Sequence, residues 1–212
     1  MVQSLNGRSN SARVLRRRLE ILRFAAAAFR REGFERAAMR DIAQSAELTP
    51  GALYYYFRNK QEILYFCQDY SLDRMIEEGA LIRRLKGPPD AQLRRLILAQ
   101  MTCMLDELRG SAAHAEFSAL PPRLLRKVVL KRDKYERMMR AIVSRGVRTR
   151  VFRKCDPKLV TLAMLGAINW TIKWFRPDGA RGADEIAREF ADYLVRGLKS
   201  GGVTRKSKVA RR

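Results

Sequence analysis

The chain has 212 residues, 47% hydrophobic and 31% charged, which is enough apolar material for a packed core under a solvated surface. Lys and Arg total 44 against 22 Asp and Glu, and a formal charge of +22 points to polyanions, with nucleic acid and acidic membrane surfaces as the first partners to consider. Cys67, Cys103 and Cys155 lie far apart without a CxxC pair and His114 is the single histidine, which argues against a zinc site or a disulfide scaffold.

The charge is uneven. Residues 1–18 carry Arg8, Arg13, Arg16, Arg17 and Arg18 with no acidic residue, and residues 199–212 are likewise purely basic. Both segments are rich in small and polar residues and lack an apolar period, so each is expected to be a disordered basic arm. Each serves either nucleic-acid contact or solubility alone.

From residue 19 the apolar spacing is helical. Leu22, Ala25, Ala26 and Phe29 recur at i, i+3, i+4 and i+7, the stripe of a helix with one buried face, and Gly33 supplies its stop. A short helix fits residues 39–45, with Ile42 and Ala43 facing inward. Thr49 followed by Pro50 reads as an N-cap and a proline in the first helical position, opening a helix that ends near Arg58 and Asn59.

Longer helices follow. Ile63, Leu64, Leu72, Met75 and Ile76 predict one reaching about Lys86, and the run Gly87-Pro88-Pro89-Asp90 breaks it. Leu93, Leu96, Ile97, Met101, Met104, Leu105 and Leu108 stripe the next. A shorter helix is expected over residues 112–118, and Pro121-Pro122 opens another that persists to about Arg145. Asp156-Pro157 starts a helix apolar on almost every side, from Leu159 to Trp170, as in helices buried from several directions. After the turn Arg176-Pro177-Asp178-Gly179, residues 183–198 form the last helix. No alternating strand pattern is present, so the chain is expected to be all-α.

Residues 40–60 combine a short helix, a tight connection at Ala46-Glu47-Leu48 and a second short helix, the spacing of a helix-turn-helix whose second helix enters the major groove. Thr49, Gly51 and Ala52 are small and allow close backbone approach. Tyr54, Tyr55 and Tyr56 point in different directions, and a core needs at most one of them. The others are free to hydrogen-bond phosphates or touch thymine methyls. Lys60, opening the next helix, is within reach of a backbone phosphate, and Arg40 of a base edge or a phosphate.

Residues 21–64 closely resemble the DNA-binding domain of the TetR family of transcriptional regulators. The landmarks are Ala25, Ala26 and Phe29, then Gly33-Phe34, Arg40-Asp41-Ile42-Ala43, Gly51-Ala52-Leu53-Tyr54, Phe57 and Asn59-Lys60. The resemblance implies DNA contacts from Arg40, Thr49, Gly51, Tyr54, Tyr55, Tyr56 and Lys60. One departure stands out: Ala37 and Ala38 occupy the place where the family commonly carries a Ser or Thr that caps the first helix of the motif and contacts phosphate.

Between the basic arm at 1–18 and the basic tail at 199–212 read from composition, the resemblance implies a helix-turn-helix domain at 19–64 and a larger ligand-binding and dimerisation domain at 65–198. It implies a homodimer built on the last two long helices, operator DNA as partner and a small-molecule effector. Residues 165–177, followed by Gly179, look like the C-terminal signature of the TetR subgroup that responds to acyl-CoA thioesters. Trp170 and Trp174, four apart, with Lys173 and Arg176, either stack an adenine and neutralise phosphates or form a dimer core. Asn169 needs a hydrogen-bond partner if buried, either in a structural network or from ligand. The basic stretch over residues 123–150 either faces a polyanionic ligand or is a solvated surface. The methionines Met101, Met104, Met138, Met139 and Met164 suit an adaptable pocket as well as core filling.

A repressor released from its operator by a ligand is therefore expected, with a nonspecific or architectural DNA-binding protein as the alternative. No nucleophile has a plausible base, no metal cluster stands out and no glycine loop cradles phosphate, so neither catalysis nor a cofactor is expected. No apolar run has the length of a membrane span and the N-terminus lacks the apolar core of a signal peptide, so no membrane partner and a cytoplasmic location are expected.

Overall fold

The computed structural model describes residues 2–107 and 119–200. The helix anticipated over residues 112–118 and the tail beyond residue 200 fall outside them. The described residues contain the α-helices α1 (Val2–Glu32), α2 (Met39–Ser45), α3 (Pro50–Tyr56), α4 (Lys60–Arg84), α5 (Pro89–Thr102), α6 (Pro122–Arg148), α7 (Pro157–Trp174) and α8 (Ala183–Arg196). An isolated antiparallel bridge joins Phe152 to Lys199. The all-α reading holds.

The boundaries follow local chemistry. Gly33 at φ 81° ends α1, its N–H bonding the Phe29 carbonyl at 3.0 Å in a left-handed turn that suits glycine. Thr49 caps α3 through its side chain, with Pro50 in the first turn. Asn59 caps α4. Asp156 caps α7 by accepting from the N–H groups of Lys158 at 2.8 Å and Leu159 at 3.2 Å. Only α2 starts without a side-chain cap, on Ala38, among α2, α3, α4 and α7.

One expectation is corrected: residues 2–18, expected as a disordered arm, form the first half of α1. An apolar stripe is not required to extend a helix already nucleated by residues 19–32, because each added residue gains a backbone hydrogen bond without repeating the nucleation cost. Here the extension is also anchored: Arg17 donates to the Ala46 carbonyl at 3.2 Å. The helix α7 is apolar on almost every side, as expected. Within one chain it leaves Leu159 67%, Leu162 49% and Trp170 64% exposed, because α7 packs chiefly on α6 and presents its outer face to solvent.

The core runs continuously through the molecule. Ile21, Leu22, Phe29, Ile42 and Ala43 from α1 and α2 meet Leu53 of α3, with Phe57 just beyond it, and join Ile63 and Leu64 of α4. In the larger part, α4 packs on α6, α5 on α8, and α6 on α7. The helix α4 thus belongs to both halves. A π-helical turn, Cys103–Glu107, continues α5.

Candidate nucleic-acid interface and ligand cavity

The reading element is held from beneath. Leu53 and Phe57 are fully buried and fix α3 on the core. The Thr49 hydroxyl accepts the Ala52 N–H at 3.2 Å, satisfying an otherwise orphaned donor of the first turn. On the outer side Tyr54 is 51% and Tyr55 75% exposed, while Tyr56 is half-buried with its ring edge against Tyr55 at 5.1 Å. One tyrosine therefore leans on the core and two face outward, as their consecutive placement required. Arg40, Thr49 and Gly51 are exposed as well, and space beside Gly51 is open.

Lys60 behaves differently from the expectation. Its ammonium donates to the Phe34 carbonyl at 2.7 Å and the Glu35 carbonyl at 2.8 Å, and lies 5.0 Å from the centre of the Phe34 ring. Two of its three donors thus tie the start of α4 to the turn after α1. Nearby, Glu62 accepts the Arg58 N–H at 2.8 Å while the Asn59 side chain accepts the Glu62 N–H at 2.8 Å. This resembles the reciprocal arrangement of a capping box, and it locks the segment following α3 onto the first turn of α4. The first turn of α4 is thus bonded to both sides of the helix-turn-helix.

A cavity of about 300 Å³ lies between α4, α5 with its π turn, α6 and α7. Leu72, Met75, Met104, Leu165, Trp170 and Ile172 provide its apolar wall. Gln68, Gln100, Tyr135, Asn169, Arg132 and Lys173 provide the polar one. The polar groups are linked: Tyr135 donates to the Gln100 side-chain oxygen at 3.1 Å, and Gln100 donates to the Asn169 oxygen at 3.4 Å. Burial pushes the Tyr135 hydroxyl far above the ordinary phenol range, so it remains a neutral donor. Burial likewise lowers the Arg132 guanidinium from its ordinary value.

At the cavity's edge Lys131 is held by Asp69 at 2.5 Å and Asp73 at 2.7 Å, which pins α6 to α4. Burial alone would lower the Lys131 ammonium, but the two carboxylates prevail and its pKa is raised.

Of the residues singled out for ligand, Asn169, Trp170 and Lys173 line this cavity. Trp174 and Arg176 do not. The Trp174 ring stacks obliquely near Phe190 at 6.1 Å, and with Arg176 it lines a separate depression of about 290 Å³ between the end of α7 and α8. The indoles share a helix face in sequence, but α7 ends at Trp174, where α8 rather than the cavity is the neighbour. Gln68, Gln100 and Tyr135 were not foreseen, while Arg132 comes from the basic stretch 123–150, expected either to face a polyanionic ligand or to be a solvated surface. Gln68 and Gln100 are polar residues inside apolar helical stripes, and that interruption was the available signal. Of the methionines, Met104 lines the cavity, while Met101 and Met139 are fully buried.

Among the described residues no group of three or more His, Cys, Asp or Glu is placed to hold a metal ion. No helix among them is long and apolar enough to cross a membrane.

Comparison with known proteins converges on this architecture. Residues 21–65 match the family described as bacterial regulatory proteins, tetR family, and residues 86–198 match the tetracyclin repressor-like C-terminal domain. The chain is 26% identical over 199 residues to the HTH-type transcriptional repressor KstR2 of Mycobacterium tuberculosis, covering 88% of this chain and 95% of that protein. It shares 35% identity and a TM-score of 0.74 with the TetR family transcriptional regulator PfmR of Thermus thermophilus, covering 85% of this chain and 99% of that one. At 23% identity and a TM-score of 0.70, covering 86% and 98%, its fold is also that of AibR, crystallised with isovaleryl coenzyme A and operator DNA.

Proposed function

Because the chain belongs to the TetR family of bacterial regulatory proteins, we propose that it is a repressor released from operator DNA by an anionic amphipathic ligand bound between α4, α5, α6 and α7. DNA binding and transcriptional repression follow from the family. The observation that carries the finer reading is the mixed cavity wall. Leu72, Met75, Met104, Leu165 and Ile172 suit a short hydrocarbon chain, and Arg132 and Lys173 stand where a charged head would lie. Such a site combines an apolar body with a few placed polar groups, at the small end of ligand cavities.

An acyl-CoA thioester fits this division. A cavity of about 300 Å³ accommodates the acyl portion, leaving the nucleotide outside, near exposed Lys173. That AibR, which shares the fold, was crystallised with isovaleryl coenzyme A makes this class the first to test.

The ligand acts through α4. Gln68, Leu72 and Met75 form part of the cavity wall, while Lys60 and Glu62 on the same helix hold the turn after α1 and the segment after α3. Filling the cavity would shift α4 and, through it, the reading helix. Two reading helices are needed for a palindromic site, and the exposed Leu159 and Leu162 of α7 with Tyr193 of α8 support pairing with a second copy. In this arrangement Arg40, Thr49, Gly51, Tyr54 and Tyr55 contact DNA directly, Tyr56 from the edge of the core, and Lys60 with whatever donor its two carbonyl bonds leave.

The test is displacement of a labelled duplex, selected from a random library by the full chain, monitored by fluorescence anisotropy. Acyl-CoA thioesters of graded chain length are expected to release it while free coenzyme A does not. Equal release by free coenzyme A would contradict the proposed seat for the acyl chain. The formal charge of +22 also favours a nonspecific DNA-binding reading, which predicts no preference for the selected duplex over a scrambled one as salt rises.

A further inference from the structure

Three of the groups lining the cavity between α4, α5, α6 and α7 are polar side chains removed from water: Gln68 and Gln100 are 2% exposed and Tyr135 is 3% exposed. Polar groups so deep in a cavity with an apolar wall must be bonded within the protein or to what fills the cavity. For Tyr135 and Gln100 the bonding runs in one direction. The Tyr135 hydroxyl donates to the Gln100 side-chain oxygen at 3.1 Å, which fixes that oxygen toward α6 and turns the Gln100 amide NH2 the other way. That NH2 reaches the Asn169 oxygen at 3.4 Å and the Met104 sulfur at 3.7 Å. The first bond is longer than the ordinary separation of about 2.9–3.0 Å, and a thioether is a weak acceptor. Gln100 therefore carries, on the cavity wall, a donor that these two partners satisfy poorly.

The place of that donor along the cavity follows from α7. Leu165, Asn169 and Lys173 all line the cavity and stand four residues apart, so they form one ridge with steps of about 6 Å. Along it the chemistry passes from hydrocarbon to amide to ammonium, and the surroundings from half-buried at Leu165 to exposed at Asn169 and Lys173. Gln100 meets this ridge at its middle member, where the buried interior gives way to the mouth.

We propose, resting on the acyl-CoA reading of this cavity, that the Gln100 amide, oriented by Tyr135 and flanked by Asn169, donates to the thioester carbonyl oxygen of the effector. The thioester is the polar group at the junction between the acyl chain and the rest of coenzyme A. Seating the chain among Leu72, Met75 and Leu165 brings that junction to the level of the amide pair. A carbonyl oxygen at ordinary distance is a better acceptor than either partner Gln100 has now. The site then selects acyl thioesters over coenzyme A conjugates of equal length that lack the carbonyl.

The test compares two ligands on the full chain by titration calorimetry. One is the tightest-binding member of a graded acyl-CoA series, and the other is the S-alkyl-CoA of equal carbon number, in which a methylene replaces the carbonyl. Wild type is expected to bind the thioester about tenfold tighter, the worth of one hydrogen bond from a buried donor. Gln100→Met keeps the length of the side chain and removes the donor, and should bring the two ligands within about twofold of each other. Tyr135→Phe keeps the buried ring and loses the hydroxyl that orients the amide, and should narrow the preference by about threefold. A merely structural loss would weaken both ligands alike and leave their ratio unmoved. Circular dichroism reads whether each variant is folded, and Tyr135→Phe decides the matter if Gln100→Met is not.

Equal binding of the two ligands by wild type overturns the role of Gln100 and leaves the acyl-CoA reading standing. So does a preference undiminished in folded Gln100→Met or in Tyr135→Phe. Failure of every acyl-CoA to bind overturns that reading, and the role of Gln100 with it.

Discussion

Ala38 stands where the backbone is already shaped to cap α2, with φ −99° and ψ 148°, and no side chain caps the N–H groups that follow. A hydroxyl there needs only to be added. Ala38→Ser is expected to stabilise the protein by about 1 kcal/mol, read as a higher midpoint in chemical denaturation with an unchanged slope. An unaltered midpoint would mean that these donors are already satisfied by water at no cost. Thr49, three residues from its partner at Ala52, could be read as a cap from sequence because donor and acceptor belong to one turn. The true partners of Lys60 could not. They are carbonyls of residues 34 and 35, brought close only when α1 folds across α4, and a lysine opening a helix looks the same whether it faces phosphate or protein.

At the level of elements, most helix ends were legible because Gly33, Pro50, Pro89, Pro122 and Asp156 act on their immediate neighbours. The start of α1 was not. Its first half holds the poor helix formers Asn6, Gly7, Ser9, Asn10 and Ser11 and no apolar period, and its anchorage comes from Ala46, Phe57 and Phe66, which are remote in sequence. The cavity was half legible for a similar reason: α7 announced itself through Asn169, Trp170 and Lys173, whereas Gln68, Gln100 and Tyr135 converge from three other helices.

A further element-level contact is testable. After α6 the chain doubles back so that the Phe152 ring covers Gly146, and a Cβ placed at Gly146 would lie 2.0 Å from a Phe152 ring carbon. Phe152 is itself buried and its N–H bonds the Gly146 carbonyl at 3.0 Å. Gly146→Ala must therefore displace a core ring, and overpacking of this kind costs about 1–3 kcal/mol. Thermal denaturation should show the loss, and a variant as stable as wild type would contradict the packing described between α6 and its following turn.

For the whole molecule, the exposed apolar face of α7 and α8 departs from a self-sufficient monomer. Leu159, Leu162 and Tyr193, the last 80% exposed, carry apolar surface that a single chain leaves wet. The proposed pairing predicts that Tyr193→Glu halves the mass seen by sedimentation equilibrium. Local packing should be untouched, because the side chain makes little contact within its own chain. A wild type that is already monomeric at micromolar concentration would exclude this interface. Dimerisation matters to function because one reading helix has only a few side chains with which to recognise bases, whereas two copies address successive turns of the duplex.

The same logic connects the halves: α4 forms a wall of the cavity at Gln68, Leu72 and Met75 and a foundation of the reading head at Lys60 and Glu62. In the proposed function the exposed rings of α3, Tyr54 and Tyr55, face base pairs. The most direct measurement of this claim is the ratio of affinities for the selected and scrambled duplexes, at one salt concentration, for wild type and Tyr54→Ala/Tyr55→Ala. The variant is expected to keep its fold and its affinity for the scrambled duplex within a few-fold, while its preference for the selected duplex falls by about tenfold or more, the worth of a lost base contact. A variant that discriminates as well as wild type would contradict the claim.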